Sequence, residues 1–194
     1  MIVGITGGTG CGKTTALEAF ASLGGHIIDC DGLYHQLLNT DRDMLSAIDA
    51  RFPGVVVSGA LDRKALGRIV FANPADLTDL NRITHAFVLQ AVKAQLLENN
   101  GHIAIDAIGL LESGLGDLCD VTVAVIASED MRMQRIMTRD NISKEYALSR
   151  ITSQKAETFF RENCDYILEN NGTKEDFYAK CLAFFKDLGI MKPE

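Results

Sequence analysis

No two cysteines in this chain stand at C-x-x-C spacing, and the four histidines complete no zinc-binding pattern. The five thiols (Cys11, Cys30, Cys119, Cys164 and Cys181) are an odd and scattered set. That excludes a disulfide framework and suits a reducing compartment, so a cytoplasmic location is expected. Excess positive charge is also missing: 19 Lys and Arg against 26 Asp and Glu leave a net charge of −7. A broad basic face for nucleic acid or an anionic membrane is therefore excluded, and neither is expected as a partner. A local basic cleft for a small anion stays compatible with this balance. No apolar run approaches the ~20 residues that span a bilayer. The first apolar stretch is short and lacks a basic leader, so no secretory signal is expected. Internal repeats, low-complexity segments and an N-K-x-D guanine-reading tetrad are absent as well. The 194 residues, 47% hydrophobic and 23% charged, suffice for one sizeable core, and a single domain is expected.

Against these absences stands Gly7-Gly8-Thr9-Gly10-Cys11-Gly12-Lys13-Thr14, a match to G-x-x-x-x-G-K-[ST]. The short apolar strand Ile2–Thr6 precedes it, and a helix with Leu17 and Phe20 on one face follows. Strand, glycine loop and helix start are the context this motif needs. Glycines leave room for backbone N–H groups to turn inward around phosphate oxygens, and the helix N-terminus adds partial positive charge. Lys13 is placed to reach β- and γ-phosphates, and the Thr14 hydroxyl to hold Mg²⁺. The nucleotide-binding stretch accordingly comprises Gly8, Thr9, Gly10, Cys11, Gly12, Lys13, Thr14 and Thr15. Cys11 lies near a helix N-terminus, where a thiol pKa tends to fall; the blander reading, which we favour, is a small filler.

Apolar strands alternate with helices, which predicts an α/β fold of three α/β/α layers around a five-stranded parallel sheet. The strands are Ile2–Thr6, His26–Ile28, His102–Asp106, Val121–Ala127 and Tyr166–Leu168. Val121–Ala127 is a β-branched run of the kind buried on both faces. Residues 32–100 show no convincing strand and read as a helical insertion, with helices at Leu33–Leu38, Met44–Phe52, Leu61–Phe71 and Leu77–Leu97. Pro53-Gly54 and Asn73-Pro74 break it. Residues 129–161 form a second helical stretch, a candidate lid, interrupted near residues 140–143 with Ser143 as an N-cap. The core then comprises 1–31, 101–128 and 162–190. The last helix places Phe177, Cys181, Phe184, Phe185 and Leu188 on one side, and residues 191–194 read as a frayed end.

Three groups could carry phosphoryl-transfer chemistry, which needs positioning, metal, positive charge and an orienting base. Asp29 and Asp31 follow the second strand at the carboxyl edge of the sheet, where open α/β folds bind ligands. Asp31 is the candidate base or hydroxyl-orienting residue. The competing reading is an aspartate capping the helix that starts near Gly32. Asp106 ends the third strand and is a candidate metal carboxylate or a strand-end cap. Arg132, Arg135 and Arg139 share a helical face and either act on phosphate or form a solvated face with Glu129 and Asp130. His85, read alone, is a packing or surface residue.

In sum the sequence resembles the dephospho-CoA kinases, nearly end to end. The opening loop Ile5–Thr14, Ile28-Asp29-Cys30-Asp31 (I-D-x-D), and Leu61-Asp62-Arg63 with Val70-Phe71 (L-D-R…V-F) carry the likeness. So do Ile83-Thr84-His85, Leu110-Leu111-Glu112, Arg135…Arg139, Gln154, and Asp165-Tyr166-Ile167…Asn170-Asn171-Gly172. The resemblance implies ATP-dependent phosphorylation of the ribose 3′-hydroxyl of dephospho-CoA with Mg²⁺, by a monomer or small homo-oligomer. It implies catalytic roles for Lys13, Asp31 and Arg139. Asp29, Asp31, Arg63, His85 and Glu112 would lie on the acceptor side, Arg135 and Asn171 on the ATP side, and Thr14 and Asp106 on the metal. Other kinases of this fold and P-loop nucleotide switches are the alternatives, and the I-D-x-D pair disfavours a switch. Two departures from the family pattern concern the backbone: Ala86 stands where proline usually follows the histidine, and Ala107-Ile108-Gly109 stands where proline usually precedes the two leucines.

Overall fold

A computed structural model describes residues 1–191; the part of the expected frayed end at 192–194 lies outside the described residues. The chain forms two compact units, Asp29–Glu98 and the remainder.

The larger unit carries β1 (Ile2–Thr6), α1 (Lys13–Ser22), β2 (His26–Asp29), β5 (Ile103–Asp106), β6 (Val121–Ile126), α6 (Glu129–Asp140), α7 (Lys144–Thr152), α8 (Glu157–Asn163), β7 (Tyr166–Glu169) and α9 (Lys174–Asp187). Only the last residue of β2 falls in the smaller unit. The five strands form one parallel sheet ordered β2-β5-β1-β6-β7. Alternation along β6 explains the layers. Val123 and Val125 face the cluster of Ala16, Phe20, Cys181 and Phe185, contributed by α1 and α9. Ala124 and Ile126 face Phe160 of α8 on the other side. A strand buried on both faces needs apolar residues at successive positions, which is how Val123–Ile126 reads; Thr122, the one polar residue, is satisfied by Asp165. Phe20 and Phe185 are fully buried and meet edge-on at 5.2 Å. Burial of each contributes roughly 1.5–3 kcal/mol. The expected apolar side of the last helix is present: Phe177, Cys181 and Phe185 are buried, with Phe184 and Leu188 packed beside them. Asp165 staples β7 to β6, its Oδ2 accepting from Thr122 N at 2.7 Å and Thr122 Oγ1 at 2.8 Å.

The smaller unit holds α2 (Cys30–Thr40), α3 (Arg42–Arg51), β3 (Val56–Val57), β4 (Ala60–Leu61), α4 (Arg63–Val70) and α5 (Pro74–Glu98) around Met44, Ile48, Phe52 and Leu66. The hairpin β3–β4 corrects the expectation of an all-helical segment. Ser58 (φ 53°) and Gly59 (φ 80°) both take left-handed backbone, as a tight hairpin turn requires. Its two-residue strands are too short for a sequence period to register. For the same reason helix α4 starts after Leu61, at the cap Asp62, whose carboxylate accepts from Lys64 N and Ala65 N. Pro74 opens α5 at the position where proline's missing N–H costs nothing. Helix α5 runs through Ala86 without a break, within the expected helix Leu77–Leu97, since alanine keeps the N–H that the family's usual proline would remove.

Candidate functional site

The glycine loop sits between β1 and α1, as its sequence requires, and its carbonyls are fastened from outside. Arg132 Nε donates to Thr9 O at 2.9 Å. Arg135 Nη1 donates to Gly10 O at 3.4 Å. Asn170 Nδ2 donates to Cys11 O at 2.8 Å. Three consecutive carbonyls thus point outward onto side chains from α6 and the end of β7. A chain whose carbonyls face out presents its N–H groups to the opposite side, which is how an anion cradle is made. Gly12 precedes α1 with φ 101°, and an added Cβ would lie 2.2 Å from Asn170 Nδ2. Only glycine fits there. Lys13 and Thr14 open α1, with the Thr14 side exposed and Thr15 turned into the core.

The arginine triplet divides. Arg132 and Arg135 converge on the loop, and Arg135 also donates to Asn170 O, Asn170 Oδ1 and Gly172 O. Arg139 instead forks onto Asp140 at 2.7 and 3.0 Å. Asp140 also accepts from Arg150. The two guanidinium groups, Arg139 foremost, hold the Asp140 carboxyl down at about 2. The structure therefore does not bring Arg139 to the loop, and its partner is neither Glu129 nor Asp130. The Cys11 thiol follows the blander of its two readings: it is 2% exposed, and burial pushes its pKa up, outweighing Arg132 and the neighbouring backbone amides. It behaves as a filler.

Asn171 Oδ1 accepts from Ser128 N at 2.9 Å, tying the β7–α9 turn to the start of α6. Asn170, next to it, entered the sequence reading only within the Asn170-Asn171-Gly172 likeness and was assigned no role. Asn170 is 4% exposed, and its single amide serves both the loop and Arg135. A buried asparagine following an apolar strand was the available signal. Gln154 was noticed only through the family likeness; its Oε1 accepts from Thr9 N at 2.8 Å and Arg132 Nη2 at 3.0 Å.

Beside Gly8 lies a cavity of about 370 Å³, bounded by Ile108, Gly109, Glu112, Ser153, Gln154, Lys155 and Phe160. It brings Glu112 to the loop's flank. Thr6 Oγ1 donates to Ile108 O at 3.0 Å and fixes the turn that lacks the usual proline. Asp106 closes β5 half-buried at the same strand-end level as the loop that follows β1.

In the smaller unit, Asp29 is the N-cap of α2, its Oδ1 accepting from Gly32 N at 3.0 Å. Asp31 stands exposed in the first turn, so Asp29 performs the capping. Arg63 opens α4, and its Nη2 donates to Asn39 Oδ1 at 3.4 Å. His85 lies half-buried on α5.

A glycine loop between the first strand and helix of a parallel sheet ordered 2-5-1-6-7 defines a P-loop nucleotide-binding protein. Comparison with known proteins narrows this. The dephospho-CoA kinase family profile matches residues 1–176. A dephospho-CoA kinase from Latilactobacillus sakei is 32% identical over 92% of this chain and 91% of its own length. A crystal structure from Thermus thermophilus superposes with a TM-score of 0.80 at 31% identity, covering 97% of each chain. The dephospho-CoA kinase structure from Campylobacter jejuni gives a TM-score of 0.70 at 26% identity, covering 96% of each. The chain belongs to the dephospho-CoA kinase family.

Proposed function

We propose that this chain transfers the γ-phosphoryl group of ATP to the ribose 3′-hydroxyl of dephospho-CoA, giving coenzyme A and ADP. The observation that carries this reading is the glycine loop held open by Arg132, Arg135 and Asn170, in a chain that matches the family over nearly its whole length. The loop's N–H groups and the α1 N-terminus bind the phosphates, and Lys13 reaches the β- and γ-oxygens. Asp31 orients the acceptor hydroxyl and takes its proton as the O–P bond forms. Asp29 is committed to Gly32 N, which leaves Asp31 as the carboxylate of the pair for this task. Arg139 leaves Asp140 to meet the phosphates of ATP. Asn171 lies near the ATP base, Arg135 serves the ATP side, and Arg63, His85 and Glu112 hold the acceptor.

Oxygen donors of the kind Mg²⁺ prefers are present: the exposed Thr14 hydroxyl and the Asp106 carboxylate. No cluster of three or more metal-ligating side chains exists among the described residues, which fits an ion held mainly by phosphate, water and one carboxylate. Bound there, Mg²⁺ would neutralise charge on the phosphate oxygens. Residues 32–100 serve as the acceptor-binding insertion and 129–161 as the lid. The protein works in the cytoplasm as a monomer or small homo-oligomer. No described helix is long and apolar enough to cross a membrane.

The test is ADP formation from MgATP with dephospho-CoA beside adenosine, AMP, pantetheine and shikimate. Strong stimulation by dephospho-CoA alone, with CoA as product, is expected. Equal ADP release with and without dephospho-CoA would refute the reading.

A further inference from the structure

We propose that Gln154 is a positioning residue for the phosphate loop, holding Thr9 through its backbone N–H while steering Arg132 onto the Thr9 carbonyl. The inference rests on the loop binding ATP, as set out above. Gln154 follows the last turn of α7, and its one carboxamide oxygen takes two donors: Thr9 N at 2.8 Å and Arg132 Nη2 at 3.0 Å. Arg132 closes the ring by donating from Nε to Thr9 O at 2.9 Å. Both polar atoms of the Thr9 peptide flanks are therefore occupied, one by Gln154 and the other by the arginine that Gln154 orients. The contact is close: a Cβ on Gly8 would meet Arg132 Nη2 at 2.4 Å and Gln154 Oε1 at 3.1 Å. A larger residue at this position would displace the Arg132 guanidinium from the clamp.

The ring has a chemical consequence. A phosphate loop presents N–H groups inward, and any N–H turned outward is withdrawn from the anion. Gln154 withdraws Thr9 N–H from the cradle, as Gly8 O withdraws Cys11 N–H at 3.2 Å. It also neutralises nothing: a carboxamide can hold an N–H and a guanidinium at once without placing a negative charge beside incoming phosphates. A carboxylate would hold both groups and repel the nucleotide. Glutamine at this position is therefore explained by its neutrality together with its reach, and Gln154→Glu separates the two properties.

The experiment uses the full chain with MgATP and dephospho-CoA. For Gln154→Met, which keeps length without polarity, amide exchange at Thr9 should accelerate by about tenfold or more, the loss of one hydrogen bond's protection. Its kcat/KM for ATP should fall about tenfold, the scale of one net hydrogen bond. KM for dephospho-CoA and Tm should stay near wild type, because Gln154 is half-exposed. Gln154→Glu should retain Thr9 protection yet raise KM for ATP. Combining Gln154→Met with Arg132→Met should cost less than the two separate losses together, as expected for one coupled unit. The proposal is overturned if Thr9 exchange is unchanged in Gln154→Met, or if ATP and dephospho-CoA parameters decline together with Tm. Absence of dephospho-CoA turnover in the wild-type chain would instead refute the functional reading, and Thr9 exchange would still decide the clamp.

Discussion

Replacement of Asn170 tests whether the loop is held by side chains as described. Asn170 is 4% exposed; its Nδ2 donates to Cys11 O at 2.8 Å and its Oδ1 accepts from Arg135 Nη2 at 3.1 Å. Removing the amide leaves the Cys11 carbonyl buried without that donor, a cost of about 1–3 kcal/mol. The Arg135 bond adds about 1 kcal/mol, discounted because a half-exposed guanidinium regains water. Together these give roughly 2–4 kcal/mol, or a fall in Tm of about 5–15 °C for a chain of this size. ATP affinity should fall with it, by about tenfold for one released carbonyl. Asn170→Ala also opens a cavity, so Asn170→Leu, close in volume, is the control that isolates the hydrogen bonds. Thermal unfolding and ATP titration of both variants provide the measurement. If Asn170→Leu keeps wild-type Tm and ATP affinity, the amide contributes volume alone and the account of the loop is wrong.

Other expectations follow from single contacts. Gly12→Ala forces a side chain into left-handed backbone 2.2 Å from Asn170 Nδ2, so ATP affinity should drop more than ~10-fold and Tm by several degrees; normal ATP binding would contradict the packing. Asp31→Asn should lower kcat about 10²–10⁴-fold with KM for ATP little changed, whereas unchanged turnover removes Asp31 from the mechanism. The Asp140 carboxyl, held at about 2 against an ordinary 3.8, contributes stability above its unfolded pKa and loses it as pH falls toward its folded pKa. Denaturant unfolding should therefore show a constant gap between wild type and Asp140→Asn at neutral pH that closes between about pH 4 and pH 2; a gap that widens on acidification has the wrong sign. Buried Cys11, with its thiol pushed up, should alkylate at least ~10-fold more slowly than the same thiol in denaturant, and equal rates would show that it is accessible.

Much of the fold was legible because its signals are local and repeated. Val121–Ile126 announces a doubly covered strand, and Asn73-Pro74, Ser143 and the spacing of Phe177, Cys181 and Phe185 mark where helices start and which side they bury. The hairpin at Val56–Leu61 was not legible, since two-residue strands have no period and depend on the turn geometry of Ser58-Gly59. At the site, the glycine loop was plain from the motif, but its fastening was not. Asn170 and Gln154 meet the loop across more than 140 positions of sequence, and no local pattern encodes such a contact. Helical spacing put Arg132, Arg135 and Arg139 on one face, yet it could not show that Asp140, one residue along, takes the third. For Cys11 the sequence leaves two readings, because proximity to a helix N-terminus is visible in sequence and desolvation is not; burial decides for the favoured one, the filler.

The outward fastening of Thr9, Gly10 and Cys11 also bears on product inhibition. The loop's ordering entropy is met by the protein's own side chains before any nucleotide arrives. A cradle prepared in this way presents the same donors to the diphosphate of ADP as to the triphosphate of ATP. Preference for the substrate over its own product must then come from groups that meet the third phosphate, and a spent nucleotide has no loop to unfold on leaving.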